Sequence, residues 1–200
     1  MEERVLTAKG AATRQRIVEG AAGLIRARGL PDTGLDDIRA ATSTSKSQLF
    51  HYFPDGRAEL LRAVARFEAD QLIEEQMPYL GDLSSWRKWQ TWRRRVIKMY
   101  DDQRAGCPLS TLTAQLRGAD PAIRDIVAGM LDRWQGYLVK GVQALKDSGE
   151  IAPTIDPLKA ATAILTAVTG GAGLLISTNR ISYLELALTE SIDALRRPAS

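Results

Sequence analysis

The stretch that decides the fold lies between residues 33 and 53 and reads TGLDDIRAATSTSKSQLFHYF. Leu35 and Ile38 are spaced as on the inward side of a short helix, and a polar run of threonine and serine follows them. Beyond that run, Leu49 and Phe53 supply the inward face of a second short helix. The stretch therefore predicts two short helices joined by a tight polar turn.

Both of these helices are preceded by a capping pattern. Thr33 is followed three residues later by Asp36, and Ser45 is followed three residues later by Gln48. In such a pair the first side chain accepts from the backbone of the later residue, whose own side chain reaches back. We therefore expect Thr33 to start the first helix and Ser45 to start the second.

An amphipathic helix precedes the pair. Ile17, Ala21, Leu24 and Ile25 repeat at the spacing of one helical face, and Gly29 is a suitable stop. Three short helices, of which the last two are joined by a tight turn, form the plan of a helix-turn-helix. The final helix of that plan enters the major groove of DNA.

The outward face of the last short helix carries groups that suit DNA. These residues are Lys46, Ser47, Gln48, Phe50, His51 and Tyr52. The ammonium, imidazole and phenol groups suit phosphate oxygens, whereas the hydroxyl and amide suit base edges and the phenyl ring suits a thymine methyl group. A merely solvated helix face is the alternative, and the whole pattern favours DNA contact.

Helical periodicity continues to the end of the chain, and no strand-like alternation of useful length interrupts it. Six more helices are predicted, over residues 57–76, 84–104, 109–116, 121–148, 157–179 and 182–196. The predicted fold is all-α with about nine helices. A helix-turn-helix domain at residues 1–56 precedes a larger helical domain at residues 57–200.

Composition restricts the class of protein. The 200 residues carry a net charge of +3, which permits a nucleic-acid partner without demanding one. A single cysteine excludes an intrachain disulfide and fits a reducing cytoplasm. Residues 160–178 lack charge but are rich in alanine, threonine and glycine, so we expect a buried helix and no membrane span. The charged first twenty residues argue against a secretory signal.

The segment 84–104 interleaves aromatic and cationic side chains. Trp86, Trp89 and Trp92 are three residues apart, with arginines and lysines between and after them. Three interpretations are open. The tryptophans can stack on single-stranded nucleic acid, fill the core of an amphipathic helix, or line a ligand pocket. The core interpretation is the simplest.

The first third of the chain resembles the TetR family of regulators. The matching residues are Arg14, Ile17, Ala21, Leu24, Gly29, Thr33, Leu35, Asp36, Asp37, Ile38, Ala41, Ser45, Lys46, Leu49, Phe50, His51, Tyr52, Phe53, Arg57, Leu60, Leu61, Ala63 and Val64. The resemblance implies that this region binds DNA. The implied phosphate contacts are Thr33, Lys46, His51, Tyr52 and Arg57, the implied base contacts are Ser47, Gln48 and Phe50, and Ser45 lies at the helix start.

Three positions depart from the family pattern. Ser43 stands where relatives have glycine, in a turn that favours positive φ. Thr44 replaces a valine and Phe50 replaces a tyrosine, which removes a hydroxyl donor. We interpret these changes as an altered operator preference with binding retained.

The resemblance also implies an effector site and a dimer. Relatives hold effectors inside the second domain, where an aromatic or lipophilic molecule can contact Trp89, Trp92, Met99, Cys107, Met130, Trp134 and Tyr137. The last two helices of the family form a four-helix dimer interface. The corresponding residues here are Thr166, Gly170, Gly171, Leu174, Leu184, Leu188 and Ile192.

These features predict a ligand-responsive repressor that binds a pseudo-palindromic operator as a homodimer. Cys107 is either a sensor of electrophiles or oxidants or a small buried residue. A non-regulatory helical binding protein and a carboxylate-only hydrolase are further alternatives. One histidine and one cysteine form no dense metal-ligand cluster, so no enzyme activity, metal or cofactor is expected.

Overall fold

The computed structural model describes residues 6–104, 111–116 and 120–196 of the chain. Over these residues it is built from α-helices and contains no strand, which confirms the all-helical prediction. The helices are α1 (Ala8–Arg28), α2 (Leu35–Ala41), α3 (Lys46–Tyr52), α4 (Arg57–Glu74), α5 (Trp86–Asp102), α6 (Pro121–Asp147), α7 (Pro157–Thr178) and α8 (Ser182–Asp193). A short π-helical segment, Thr111–Leu116, lies between α5 and α6, and a 3-10 turn, Ala194–Arg196, follows α8.

Three helices start at a capping side chain, and that of α3 is Ser45, as predicted from the sequence. Ser45 Oγ accepts from the backbone N–H of Gln48 at 3.1 Å and so caps α3. Asp120 accepts from the backbone at the start of α6, and Asp156 does so at the start of α7. A proline follows each aspartate at the first helical position, where its missing N–H costs nothing.

The start of α2 differs from the prediction. Gly34 is its N-cap, and the N–H of Gly34 donates to Asp37 Oδ2 at 2.8 Å. The hydroxyl of Thr33 turns back and donates to the carbonyl of Gly29 at 2.8 Å. The expected capping pair of Thr33 and Asp36 is therefore wrong by one residue, because Thr33 closes the preceding loop.

The turn between α2 and α3 has the left-handed conformation that was expected because relatives have glycine at the position of Ser43. Ser43 has a φ of 49°, although it is not glycine. The buried hydroxyl of Thr42 donates to the carbonyl of Ile38 at 2.7 Å, and that of Thr44 donates to the carbonyl of Thr42 at 3.2 Å. These bonds hold the turn and offset the steric cost of a side chain at Ser43.

Helices α1, α2 and α3 form a small head around one apolar centre. Its fully or almost fully buried members are Ile17, Ala21, Ile25, Ile38, Leu49 and Phe53. Helix α4 packs against α1 on one side and against α6 on the other. A movement of α4 would therefore change the packing of both α1 in the head and α6 in the second domain.

Helices α7 and α8 form an antiparallel hairpin that also packs against α6. A Cβ added at Gly171 would lie 2.7 Å from Leu184 Cα, so only glycine permits this approach of α7 to α8. By length and composition alone α7 is able to cross a membrane. In the fold, its inner side instead covers the core of the second domain.

Gly141 of α6 allows a similarly close contact, from which we predict a stability change. A Cβ at Gly141 would lie 2.6 Å from Leu83 Cβ and 2.9 Å from Trp89 Cζ2. Because Gly141→Ala must displace core side chains, we expect it to lower the free energy of unfolding by about 1–3 kcal/mol. Urea unfolding of the variant measures this change.

Gly136→Ala is the matched control on the same helix. No described heavy atom beyond its own helix lies within 4 Å of a Cβ at Gly136. Since alanine is a better helix former than glycine, this variant should have a free energy of unfolding up to about 1 kcal/mol higher than the wild type. Equal stability of the two variants would contradict the packing around Gly141.

Candidate nucleic-acid interface and effector site

Helix α3 buries one face and leaves the other open. Leu49 is fully buried, and so is Phe53, whose ring centroid lies 5.1 Å from the guanidinium carbon of Arg14. The exposed residues are Lys46, Ser47, Gln48, Phe50 and His51. The Phe50 ring is 40% exposed, so an apolar surface lies beside polar and cationic groups on one helix face. This combination can contact phosphates and base edges together.

Gln48 has a structural task as well as a place on this face. Its side-chain oxygen accepts from the backbone N–H of Ser45 at 3.2 Å, which completes the capping box of α3. Only the amide nitrogen is left to contact a base. In this conformation Gln48 can donate to a base acceptor, but it cannot form the bidentate adenine contact that its residue type suggests.

Three residues expected at phosphates are less open than Lys46 and His51, and two of them, Thr33 and Arg57, hold the loop between α1 and α2. Thr33 is buried, so its hydroxyl is not open to DNA. Arg57 donates to the carbonyl of Leu30 at 2.9 Å and to that of Thr33, and it thereby holds the loop between α1 and α2. Tyr52 is half-buried and meets the ring of His51 edge-to-face, with 5.0 Å between centroids.

Polar contacts fasten the head to the second domain. Arg26 of α1 forms an ion pair with Glu68 of α4 at 2.7 Å. The backbone N–H of Leu30 donates to Gln115 Oε1 of the π-helical segment at 2.9 Å. The α1 end of the head is therefore held by two separate elements of the second domain.

The candidate effector residues divide by burial. Trp89, Trp92 and Trp134 are fully buried, Met99 and Met130 are nearly so, and Tyr137 is partly exposed. Cys107 lies outside the described residues. Burial of Trp89 and Trp92 contradicts the interpretation that these rings stack on single-stranded nucleic acid, since bases cannot reach them in this fold. Trp86 is partly exposed, and the guanidinium carbon of Arg196 lies 4.1 Å from the centroid of its ring.

The buried indoles differ in their hydrogen bonding. Trp92 Nε1 donates to Gln76 Oε1 at 3.1 Å, and its ring meets that of Trp89 edge-to-face at 5.7 Å. The Nε1 atoms of Trp89 and Trp134 have no acceptor in the part of the chain that the structure describes. Buried donors normally find a partner, so both are candidates for contact with a ligand.

The sequence analysis missed one buried charged residue, Glu68. Burial raises the pKa of the Glu68 carboxyl above its ordinary value, although the charge and hydrogen bond of Arg26 lower it and the charge of Glu75 raises it further. The sequence feature that indicates its burial is the spacing: Glu68 is four residues after Val64 and four before Leu72, and both of these lie on the buried face of the helix. In the described part of the chain, no three His, Cys, Asp or Glu side chains cluster as metal ligands would.

The expected dimer surface needs correction. Gly171, Leu184, Leu188 and Ile192 are buried within the single chain, because α7 and α8 pack on each other and on the core through them. They cannot face a partner. The other three expected residues, Thr166, Gly170 and Leu174, are exposed on α7. On α8 the exposed apolar residues are Tyr183 and Leu186, which the sequence analysis did not select.

Two family models match this chain. The model described as "Bacterial regulatory proteins, tetR family" matches residues 17–64. The model described as "Tetracyclin repressor-like, C-terminal domain" matches residues 87–189. The first match includes the helix-turn-helix, and the second covers half of the chain.

Individual proteins agree with these matches. The chain is 23% identical to the HTH-type transcriptional regulator YxaF of Bacillus subtilis over 190 residues, which cover 92% of this chain and 95% of that protein. It is 28% identical to the HTH-type transcriptional regulator Rv0196 of Mycobacterium tuberculosis over 144 residues, or 64% of this chain and 71% of that one.

Solved structures show the same fold. The TetR-family regulator from Cytophaga hutchinsonii superposes with a TM-score of 0.78 at 19% identity, covering 98% of this chain and 100% of the other. A TetR regulator from Chloroflexus aurantiacus gives 0.73 at 24% identity, with 94% and 96% covered. The likeness extends over both the head and the second domain.

Proposed function

This chain belongs to the TetR family of transcriptional regulators, and from that premise we propose that it is a cytoplasmic, ligand-responsive repressor. It binds operator DNA as a homodimer and leaves the DNA when a small effector binds the second domain. The observation that carries the proposal is the open face of α3, where Lys46, Ser47 and Phe50 project from a helix anchored by buried Leu49.

The homodimer places two such faces on one DNA duplex. We propose that it forms through the exposed sides of α7 and α8, with Thr166, Gly170, Leu174, Tyr183 and Leu186 at the contact. Because both heads must meet the major groove, the operator is a pseudo-palindrome with half-sites about one helical turn apart.

The effector acts through the contacts between the head and the second domain. A ligand among the buried tryptophans would shift α4 or the π-helical segment, and Arg26 and Leu30 would transmit that shift to the head. The ligand must bind the DNA-free state more tightly, since equal affinity shifts nothing. A coupling of about 1–3 kcal/mol would weaken operator binding about 5- to 150-fold.

Selection of bound duplexes from a random library, using the purified full chain, tests the proposal. We expect one enriched pseudo-palindrome, which then serves as the operator. A compound screen against the protein–operator complex, followed by fluorescence anisotropy, tests release. Enrichment of no sequence would contradict the DNA-binding proposal, and a constitutive complex would contradict the ligand response.

Lys46→Ala distinguishes phosphate contact from base contact. Because an ammonium neutralises phosphate on any sequence, the variant should bind operator and unrelated duplexes more weakly by similar factors. The slope of log affinity against log salt should fall by about one unit per lost contact. Affinity titrations from low to moderate salt measure both effects. An unchanged slope would place Lys46 away from the phosphates.

A further inference from the structure

Among the described residues, only one of the two oxygen atoms of the buried Glu68 carboxylate has a hydrogen-bond partner. Its Oε1 atom accepts from Arg26 at 2.7 Å. Its Oε2 atom is shielded from solvent and has no hydrogen-bond partner among the described residues. A buried polar atom without a partner is costly, and a charged one more so. A molecule that brings a donor to Oε2 would therefore gain the interaction that the chain itself leaves unmade.

Glu68 is in the interior, and α6, which packs against α4, carries a second buried polar atom without a partner in the described part of the chain. Glu68 shares the buried side of α4 with Val64 and Leu72, whereas Asp70, two residues on, is exposed. Asp70 pairs with Arg133 of α6 at 2.7 Å. Trp134, next to Arg133, is fully buried, and its indole N–H lacks an acceptor in the described part of the chain.

The chemistry of these groups selects a class of ligand. A carboxylate oxygen attracts a positively charged donor, and an indole offers both an aromatic face for a cation and an N–H for an acceptor. We propose that Glu68 is the anchor of the effector site and that the effector is an aromatic organic cation, a protonated amine that donates to Glu68 Oε2. This assignment rests on the ligand-responsive function proposed above and names the class of effector.

The same carboxylate gives the cation a way to act on DNA binding. Arg26, the present partner of Glu68, belongs to α1 of the head. Its side chain is 30% exposed, so water can solvate the guanidinium when the pair opens. An amine at Oε2 shares the negative charge of Glu68 with Arg26, which weakens the ion pair that holds α4 on α1. Burial raises the pKa of the Glu68 carboxyl, and a cation beside Oε2 would lower that pKa again, because an opposite charge favours the ionised form.

Matched pairs of amines and alcohols test the anchor without knowledge of the natural effector. The pairs are benzylamine with benzyl alcohol, 2-naphthylmethylamine with 2-naphthalenemethanol, and 4-phenylbenzylamine with 4-biphenylmethanol. Calorimetric titration uses the full-length wild type, Glu68→Gln and Asp70→Asn. The second variant is the matched control, because it neutralises a carboxylate on the same helix that faces solvent.

For at least one pair, we expect the amine to bind wild type and Asp70→Asn about 10- to 100-fold more tightly than the alcohol. Glu68→Gln should bring the two affinities within about 3-fold of each other, because the charged acceptor is gone. Equal binding of amine and alcohol to wild type in all three pairs overturns the proposal, whether or not Glu68→Gln folds. A preference that persists in a folded Glu68→Gln also overturns it.

Operator release by the same compounds separates this proposal from the wider function. An amine that binds through Glu68 but leaves the operator bound supports the anchor and contradicts the release function. An alcohol that releases the operator, with no preference for amines in any pair, supports the regulator and overturns the Glu68 anchor.

Discussion

Replacing Gln48 with glutamate is expected to weaken operator binding about 100-fold or more while leaving helix α3 capped. Glutamate keeps the side-chain oxygen that accepts from the N–H of Ser45, so the capping box survives. It loses the amide donor that faces the bases and places a negative charge in a groove lined by phosphates. A base acceptor left without its donor costs about 1–3 kcal/mol, and the loss occurs twice in a dimer, which accounts for the size of the effect. Anisotropy titration with the selected operator measures it.

Gln48→Ala is the companion variant, because it removes both functions of the side chain. It should weaken operator binding and also lower the free energy of unfolding by about 0.5–1.5 kcal/mol, because the hydrogen bond from the N–H of Ser45 is lost while the bond to Ser45 Oγ remains. Gln48→Glu should unfold at nearly the wild-type temperature. If Gln48→Glu bound the operator like wild type, the N-terminal turn of α3 would not lie at the bases.

The capping of α3 shows what local sequence can and cannot specify. Ser45 and Gln48 are three residues apart, and their hydrogen bonds form within one turn, so the start of α3 could be predicted. The same spacing predicted the wrong start for α2, because the hydroxyl of Thr33 donates to the carbonyl of Gly29 in the preceding loop. The loop geometry that makes this bond depends on Arg57, which is distant in sequence.

Apolar periodicity identifies a buried face but not what covers it. Leu184, Leu188 and Ile192 form a strip that the sequence assigned to a partner chain, yet α7 and the core of the same chain cover it. A strip buried inside one chain and a strip buried between two have the same composition. The exposed Leu186 is the more informative residue here, because it lies on α8 outside that strip.

Buried charged residues are the feature of this fold that is hardest to predict from sequence patterns. Glu68 lies on a helix that also carries exposed acids, and only the packing of α1 and the other helices around α4 reveals that it is buried. Its partner Arg26 is 42 residues away. Such a pair cannot be assigned from periodicity, whereas the helical class and the exposed face of α3 could be.

Leu186→Glu is expected to convert the protein from a dimer to a monomer and to lower operator affinity about 100-fold or more. Leu186 is 66% exposed in the single chain and belongs to the face that we assign to the dimer. The substitution buries two unpaired carboxylates in one symmetric interface, and each costs several kcal/mol. Operator affinity falls because a monomer has only one head. In a dimer, binding of the second, linked head raises the affinity about 10²- to 10⁴-fold. Sedimentation velocity and anisotropy titration measure the two effects.

Leu158→Glu is the matched control for this prediction. Leu158 is a leucine of similar exposure, 56%, at the start of α7, where it borders Val139 and Gln143 of α6 in a groove to which we assign no dimer contact. This variant should sediment as a dimer and bind the operator with wild-type affinity, because its charge stays in water. Dissociation by Leu158→Glu, with Leu186→Glu still dimeric, would move the interface to the groove between α6 and α7. A Leu186→Glu monomer that kept full operator affinity would show instead that one head is sufficient for binding, since loss of the second head would then cost nothing.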